Sequence, residues 1–339
     1  MLSYVFLGAE TVARAAIRGG ASYLGVATLQ EGIDLRLCGI ELPILILGNL
    51  INNQELNACV YWDLIPTVSS EREALLCEQV AIDNQKKFNL HLKIDTGMTR
   101  LGCGLQEAKK LLNIILNSRY LEIKGIYSHL AVADIFDQSS LGKITDLQLE
   151  RFKKMINYLP TMHNECLIHL ANSAGTLRSQ DLHFDMVRVG LALYGYSPIA
   201  NLSNSLCLQP ALSVKARVTF IREVAKGVGV SYGHQFITNR DSRLAVVGIG
   251  YADGVNRALS GKISALINGA LLPQVGAITM DQMILDVTDA PEVEIGSVVT
   301  LLGKEFNQCI PPSAWAELIG SISWEILCGF KNRLPRVVI

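Results

Sequence analysis

No apolar stretch in this sequence approaches the roughly 20 residues needed to span a bilayer. The longest, "PILILGNLI", reads as a buried strand. No run of like charges occurs, and 30 Lys+Arg against 31 Asp+Glu leave a formal charge of −1. That balance excludes a nucleic-acid-binding stripe and an acidic tail, and it favours small neutral or zwitterionic partners. No CxxC pair occurs among the eight cysteines, Cys38, Cys59, Cys77, Cys103, Cys166, Cys207, Cys309 and Cys328. Several stand in apolar runs such as "NECLIHLA" and "WEILCGF", so they read as reduced core thiols, with neither disulfides nor a metal site. No glycine-rich dinucleotide fingerprint follows any apolar run. The opening "MLSYVFLGAE" mimics a short signal segment but lacks a preceding positive charge, and a helix with a core-facing pattern follows at once. The expected location is therefore cytoplasmic.

Half of the 339 residues are hydrophobic, enough for one large core or two domains of ordinary size. Through about residue 205 the chain repeats one grammar: a short apolar run, a polar or glycine turn, then a helix-length amphipathic segment. Strands are expected at 23–27, 44–48, 65–68, 89–94, 124–130, 166–171 and 185–190. Continuous apolar runs alternating with helices imply a parallel sheet covered by helices. A doubly wound sheet and a closed (β/α)8 barrel both satisfy this α/β pattern. The barrel is favoured because polar residues cluster at the C-terminal ends of most strands: Lys93 to Asp95, His129, Asn172 with Ser173, and Arg188. A TIM-type barrel brings those ends to one face, where chemistry sits. It needs eight strands, and the missing one would be the first, where "MLSYVFL" stands.

Beyond 208–213 the grammar changes to short alternating segments, at 214–221, 243–250, 264–276, 283–289 and 297–303, separated by Gly, Asn and Asp turns. Asn268-Gly269 is a strong hairpin signal. One short helix is expected around "SAWAELIGS", following Pro312. The expected organisation is a barrel over 1–208, its first strand missing or incomplete, and a mostly β C-terminal domain over 209–339.

Taken singly, each polar strand end says little; His129 is as compatible with a satisfied structural histidine as with a catalyst. Together, however, "KIDTGMTRLG" (93–102), "YSHLAVAD" (127–134), "HLANSAG" (169–175), "VRVGLALYG" (187–195), "VSYGHQF" (230–236), "GYADGVNR" (250–257), "GAITMDQMILDVTD" (276–289) and "WEILCGFKNRLPRV" (324–337) run in one order. In that order they resemble the alanine racemases, pyridoxal 5'-phosphate enzymes with an N-terminal (β/α)8 barrel and a C-terminal β domain.

The resemblance implies interconversion of L-alanine and D-alanine for peptidoglycan supply, by a homodimer with shared active sites. Inverting the centre requires proton carriers on opposite faces of the substrate, and the cofactor ring serves as the electron sink. By resemblance, one carrier is Tyr251, acting on the partner subunit's barrel. An ordinary tyrosine has a pKa near ~10, so it needs neighbours that favour its phenolate; the resemblance assigns His129 and Arg188 to that task. Arg188 would also face the pyridine nitrogen and leave it unprotonated. The remaining assignments are Arg100, turned toward the cofactor and substrate, Met280 for the substrate carboxylate, and Asn172, Ser173, Gly190 and Leu191 for the phosphate. Lys93 is the candidate for carbamylation, which would turn a cation repelling Arg100 into an anion orienting it.

The sequence departs from the family in two places. The family's first strand ends in Lys-Ala-x-Ala-Tyr-Gly-x-Gly, whose lysine carries the cofactor; aligned backward without gaps, that lysine falls on Met1 and the tyrosine on Val5. The expectation is a chain with little or no activity. An upstream start, a frameshifted relic, and a lysine-free binding module each account for it. A second family tyrosine is replaced by Trp324, whose indole can donate but is larger. The alternatives to an alanine racemase are a non-catalytic protein of the same barrel type and a related amino-acid racemase or decarboxylase.

Overall fold

The structure is a computed structural model that describes residues 8–135, 141–159, 166–199, 208–331 and 333–338. Ala9–Gln209 form one compact unit and Pro210–Ile339 a second.

The first unit begins with α1 (Ala9–Arg18), which buries Ala9, Val12 and Ala13 on one face and carries the Glu10–Arg14 pair at i,i+4 on another. Six strands follow, alternating with helices: β1 (Leu24–Val26), β2 (Ile44–Ile46), β3 (Ile65–Val68), β4 (Phe88–Lys93), β5 (Leu121–Tyr127) and β6 (Leu167–His169). All pair in parallel, in chain order. β2 and β3 are buried at every position, as strands covered on both faces must be. The intervening helices are α2 (Leu29–Leu37), α3 (Asn53–Trp62), α4 (Glu71–Asp83), α5 (Leu105–Asn117) and α6 (Ile144–Tyr158), with the short α7 (Ser173–Arg178) after β6. Thr28, Asn52 and Ser70 start α2, α3 and α4 by accepting the amide hydrogens of Glu31, Glu55 and Glu73. Each satisfies a donor that the helix itself cannot.

Two expectations for this unit are corrected. The strand expected at 124–130 lies at Leu121–Tyr127. Its start was hidden because Glu122 and Lys124 pair with each other on the strand and break the apolar run. The segment 185–190 forms no strand, only an isolated bridge between Met186 and His169. The Asp185 and Arg188 amides do donate to the Ile168 and Ala171 carbonyls, so the segment runs beside β6 without a regular ladder. Among the described residues β1 ends the sheet on its other side. A cleft lined by Tyr23, Leu24, Leu45, Met186 and Arg188 lies between β1 and this segment.

In the second unit six strands form an antiparallel path: β12 (Ala270–Pro273), β11 (Ser264–Ile267), β14 (Val298–Glu305), β7 (Val214–Val224), β10 (Ser242–Val247) and β13 (Met283–Asp286). β15 (Gln308–Ile310) pairs with β14, and β8 (Gly229–Val230) with β9 (Phe236–Ile237). The β11–β12 turn is Asn268-Gly269 with φ of 52° and 81°, the left-handed pair a tight hairpin demands. The expected helix is α8 (Pro312–Leu318), with proline in its first turn. A second helix, α9 (Ser323–Gly329), was not expected. Val218, Ala245, Val247, Leu266, Met283, Leu301 and Trp315 lie in the core of this unit.

Cys59, Cys77 and Cys103 are buried thiols, as expected, and burial raises all three. Cys309 is exposed, because it sits on the short outer strand β15 and not in the core. Cys207 lies outside the described residues. No helix among the described residues is long and apolar enough to cross a membrane.

Candidate active site

Side chains at the C-terminal ends of β4, β5 and β6 converge with Arg188. Its Nη2 donates to the carbonyls of Ser128 (2.6 Å) and Leu170 (3.0 Å) and to His129 Nδ1 (3.3 Å), and its Nη1 donates to His169 Nδ1 (2.8 Å). The guanidinium carbon also stands 5.0 Å from the centre of the Tyr127 ring, within cation–π range. Loss of hydration lowers Arg188 to about 10, which still leaves it a cation at neutral pH. These contacts leave the Nε–H and one Nη1–H for a ligand.

Two residues beyond Arg188, Ser173 Oγ accepts the amide hydrogens of Gly190 (2.8 Å) and Ala192 (3.3 Å). It thereby pins the Gly190–Ala192 turn, and its own hydroxyl proton stays available to an anion. Asn172 acts differently from Ser173: Oδ1 caps α7 at Gly175 and Nδ2 donates to the Leu130 carbonyl. Its side chain shapes the turn and its polar groups are turned to the protein.

Lys93 is buried, 5.3 Å from the centre of the Tyr127 ring. Burial, then the charges of Arg100 and Arg188, bring it down to about 8, against the opposing pull of Asp95. Arg100 is exposed at the end of a loop organised by Asp95, whose Oδ1 accepts the amide hydrogens of Gly97, Met98 and Thr99 at 2.9 to 3.1 Å. His129 is pushed down to about 3 by burial and then by Arg188, Lys93 and Arg100. It is therefore a neutral imidazole, and with Nδ1 accepting from Arg188 its proton sits on Nε2.

Tyr251 and Met280 belong to the second unit, where their loops are tied together. The Tyr251 amide donates to the Thr279 carbonyl and the Ala252 amide to the Met280 carbonyl. Arg333 braces both loops through Asp253 (3.2 Å) and Asp281 (2.6 Å). Both side chains are exposed, and Trp324 is half-buried in α9. Met1 and Val5, on which the family's lysine and tyrosine align, lie outside the described residues.

Sequence reasoning missed His91, His169 and Tyr23. His91 Nδ1 lies 3.0 Å from His169 Nε2, and His91 Nε2 lies 3.2 Å from the Tyr23 hydroxyl. A signal was present: His91 stands two residues before Lys93 in β4, which puts both side chains on one face of the strand.

The alanine racemase N-terminal domain family matches residues 6–198, and the alanine racemase C-terminal domain family matches 211–338. The alanine racemase of Prochlorococcus marinus is 59% identical over 332 residues, covering 98% of this chain and 86% of that protein. That of Nostoc sp. is 47% identical over 333 residues, 97% of this chain and 85% of its own length. Among solved structures, alanine racemase from E.faecalis superposes with a TM-score of 0.90 at 33% identity, over 99% of this chain and 88% of that one. The Bartonella henselae alanine racemase with covalently bound pyridoxal phosphate gives 0.87 at 33% identity, over 99% and 90%. Two domain matches in sequence, near-complete coverage by relatives, and the same barrel-plus-β architecture in solved structures establish that the chain belongs to the alanine racemase family of pyridoxal-phosphate-dependent isomerases.

Proposed function

We propose that the first unit binds pyridoxal 5'-phosphate, and that a cytoplasmic homodimer of this chain interconverts L- and D-alanine at shared sites. The observation that carries this reading is Arg188. It is a half-buried cation with two uncommitted N–H groups, two residues from a turn that Ser173 pins for an anion. Those groups fit the cofactor's ring nitrogen and phosphate. When bound, the cofactor supplies a sink for the electron pair left as the α-proton of alanine departs.

The chain's own residues do the rest. Arg188 presents a donor that keeps its proton, so the ring nitrogen remains unprotonated and side reactions are disfavoured. The Ser173 hydroxyl and the Leu191 amide hold the phosphate, while the Gly190 amide, donated to Ser173, fixes that hydroxyl in place. Tyr251 carries a proton on one face of the substrate in the partner subunit's barrel. His129, being neutral, serves that phenol by hydrogen bonding, while Arg188 and Arg100 supply the positive field that favours its ionised form. Arg100 and Met280 receive the substrate carboxylate. A carbamate on Lys93 would orient Arg100, replacing an amine whose charge is disfavoured by burial and then by the neighbouring arginines.

The test is cofactor binding to the full chain, followed by thermal shift, together with D-alanine formation from L-alanine. Binding, unlike turnover, does not require the amine that the resemblance assigns to position 1. Ser173→Ala should weaken binding roughly tenfold or more, the magnitude of a lost hydrogen bond to a charged group. In a chain carrying the family's lysine segment in place of residues 1–7, Tyr251→Phe should leave binding intact and lower D-alanine formation by about 100-fold or more. Equal cofactor affinity in Ser173→Ala, or undiminished turnover in Tyr251→Phe, would overturn the assignment.

A further inference from the structure

Inside the first unit, four side chains from four parts of the chain make an unbroken line: Arg188, His169, His91 and Tyr23. The two histidines are fully buried and Tyr23 is half-buried. Their rings are packed against one another and against Tyr127: His169 stacks on Tyr127 at 4.7 Å with an interplanar angle of 7°, and His91 meets Tyr23 at 5.6 Å and His169 at 5.1 Å.

Only one order of protons is compatible with this line. Guanidinium has donors and no acceptor, so His169 Nδ1 must offer its lone pair. A neutral His169 then carries its proton on Nε2 and donates to His91 Nδ1. His91 in turn carries its proton on Nε2 and donates to the Tyr23 hydroxyl. The reverse order would set an Nδ1–H of His169 against an N–H of Arg188, 2.8 Å away. A doubly protonated histidine would place a second cation beside Arg188 without a counter-charge, and both rings are in fact held neutral by burial and by that cation. Tyr23 closes the line as an acceptor, and its own proton is free to turn to the cleft between β1 and the 185–190 segment.

We propose that Tyr23 and His91 are positioning residues for Arg188: through His169 they form a one-way hydrogen-bond chain that fixes the guanidinium's orientation, so that its uncommitted N–H groups face the ligand. The carbonyls of Ser128 and Leu170 tie down Nη2 alone; the chain through His169 is what holds Nη1 and with it the rotation of the plane. Gly125 on β5 makes room for this arrangement, because a side-chain carbon there would stand 2.5 Å from the His91 ring. The role in ligand binding rests on the cofactor reading given above, whereas the proton order and the hold on Arg188 do not.

The experiment is NMR of the full chain labelled with 15N-histidine and 15N-arginine, without cofactor. The sequence has only six histidines, so single replacements assign them. His91 and His169 should both appear as Nε2–H tautomers at pH 7. A proton on Nδ1 of either ring, or a doubly protonated ring, would overturn the proposal without any variant. In Tyr23→Phe, which keeps the ring and removes the acceptor, and in His91→Leu, the Arg188 N–H hydrogens should exchange with solvent about tenfold faster, the effect of one lost hydrogen bond. His91→Gln, able to accept through Oε1 and donate through Nε2, should restore slow exchange. Arg188 signals unmoved in both Tyr23→Phe and His91→Leu would refute the positioning role. Cofactor titration of the same samples keeps the two readings apart: a chain that shows this proton order and does not bind pyridoxal phosphate refutes the cofactor assignment alone.

Discussion

At the scale of the residue, His91 and His169 set a pH limit on the fold. Burial, followed by the charge of Arg188, lowers His91 to about 3 and His169 well below its ordinary value. In the unfolded chain both return to a pKa near ~6.5, so below that pH the unfolded state binds protons that the folded state refuses. Stability should be at its plateau above about pH 6.5 and fall as the pH drops toward ~3, each ring contributing up to about 1.4 kcal/mol per pH unit within that window. Urea midpoints from pH 7.5 to 4.5 read this directly. A flat profile would mean that the rings are not held neutral. The same residues show what sequence reasoning could see. Lys93, His129, Ser173 and Arg188 stood out because they end apolar runs. His91 did not, because Leu90 and Leu92 flank it and an isolated histidine in a strand looks like core until its neighbours are known.

Elements depend on single contacts that are easily tested. Thr28 starts α2 with a complete capping box, its side chain accepting the Glu31 amide while Glu31 accepts from the Thr28 amide. Thr28→Ala should lower stability by about 1 kcal/mol. Gly125→Ala should cost more, about 1–3 kcal/mol, because the His91 ring it would strike is held on both sides by Tyr23 and His169. Urea denaturation of the two variants compares them, and a smaller loss for Gly125→Ala than for Thr28→Ala would show that the His91 ring can move aside. Most strands were legible within a residue or two of their ends, because a parallel strand covered on both faces is a continuous apolar run. β5 was not, since the Glu122–Lys124 pair breaks its run. The 185–190 segment misled in the opposite sense. It has the composition of a strand, yet composition does not supply a second neighbour, and only the Met186 bridge forms.

For the whole molecule, the proposed homodimer makes a prediction of its own. If Tyr251 serves the partner subunit's barrel, mixing Tyr251→Phe chains with Arg188→Lys chains produces heterodimers in which one site has both native residues. With both chains carrying the family's lysine segment in place of residues 1–7, random pairing should restore about a quarter of the alanine α-proton exchange that the same chain shows with neither replacement, measured by NMR in heavy water. No recovery, with dimers confirmed by sedimentation, would place each Tyr251 with its own barrel. The sequence by itself determined the order of strands and helices, the change from a parallel to an antiparallel unit, and the residue types at the strand ends, because periodicity and turn chemistry are local properties. Tertiary structure alone decided which of those residues meet. Tyr23 and His91 are 68 positions apart, His91 and His169 are 78 apart, and neither ring has a neutral, directed proton until strand pairing removes it from water and sets it in line with a cation that can only donate.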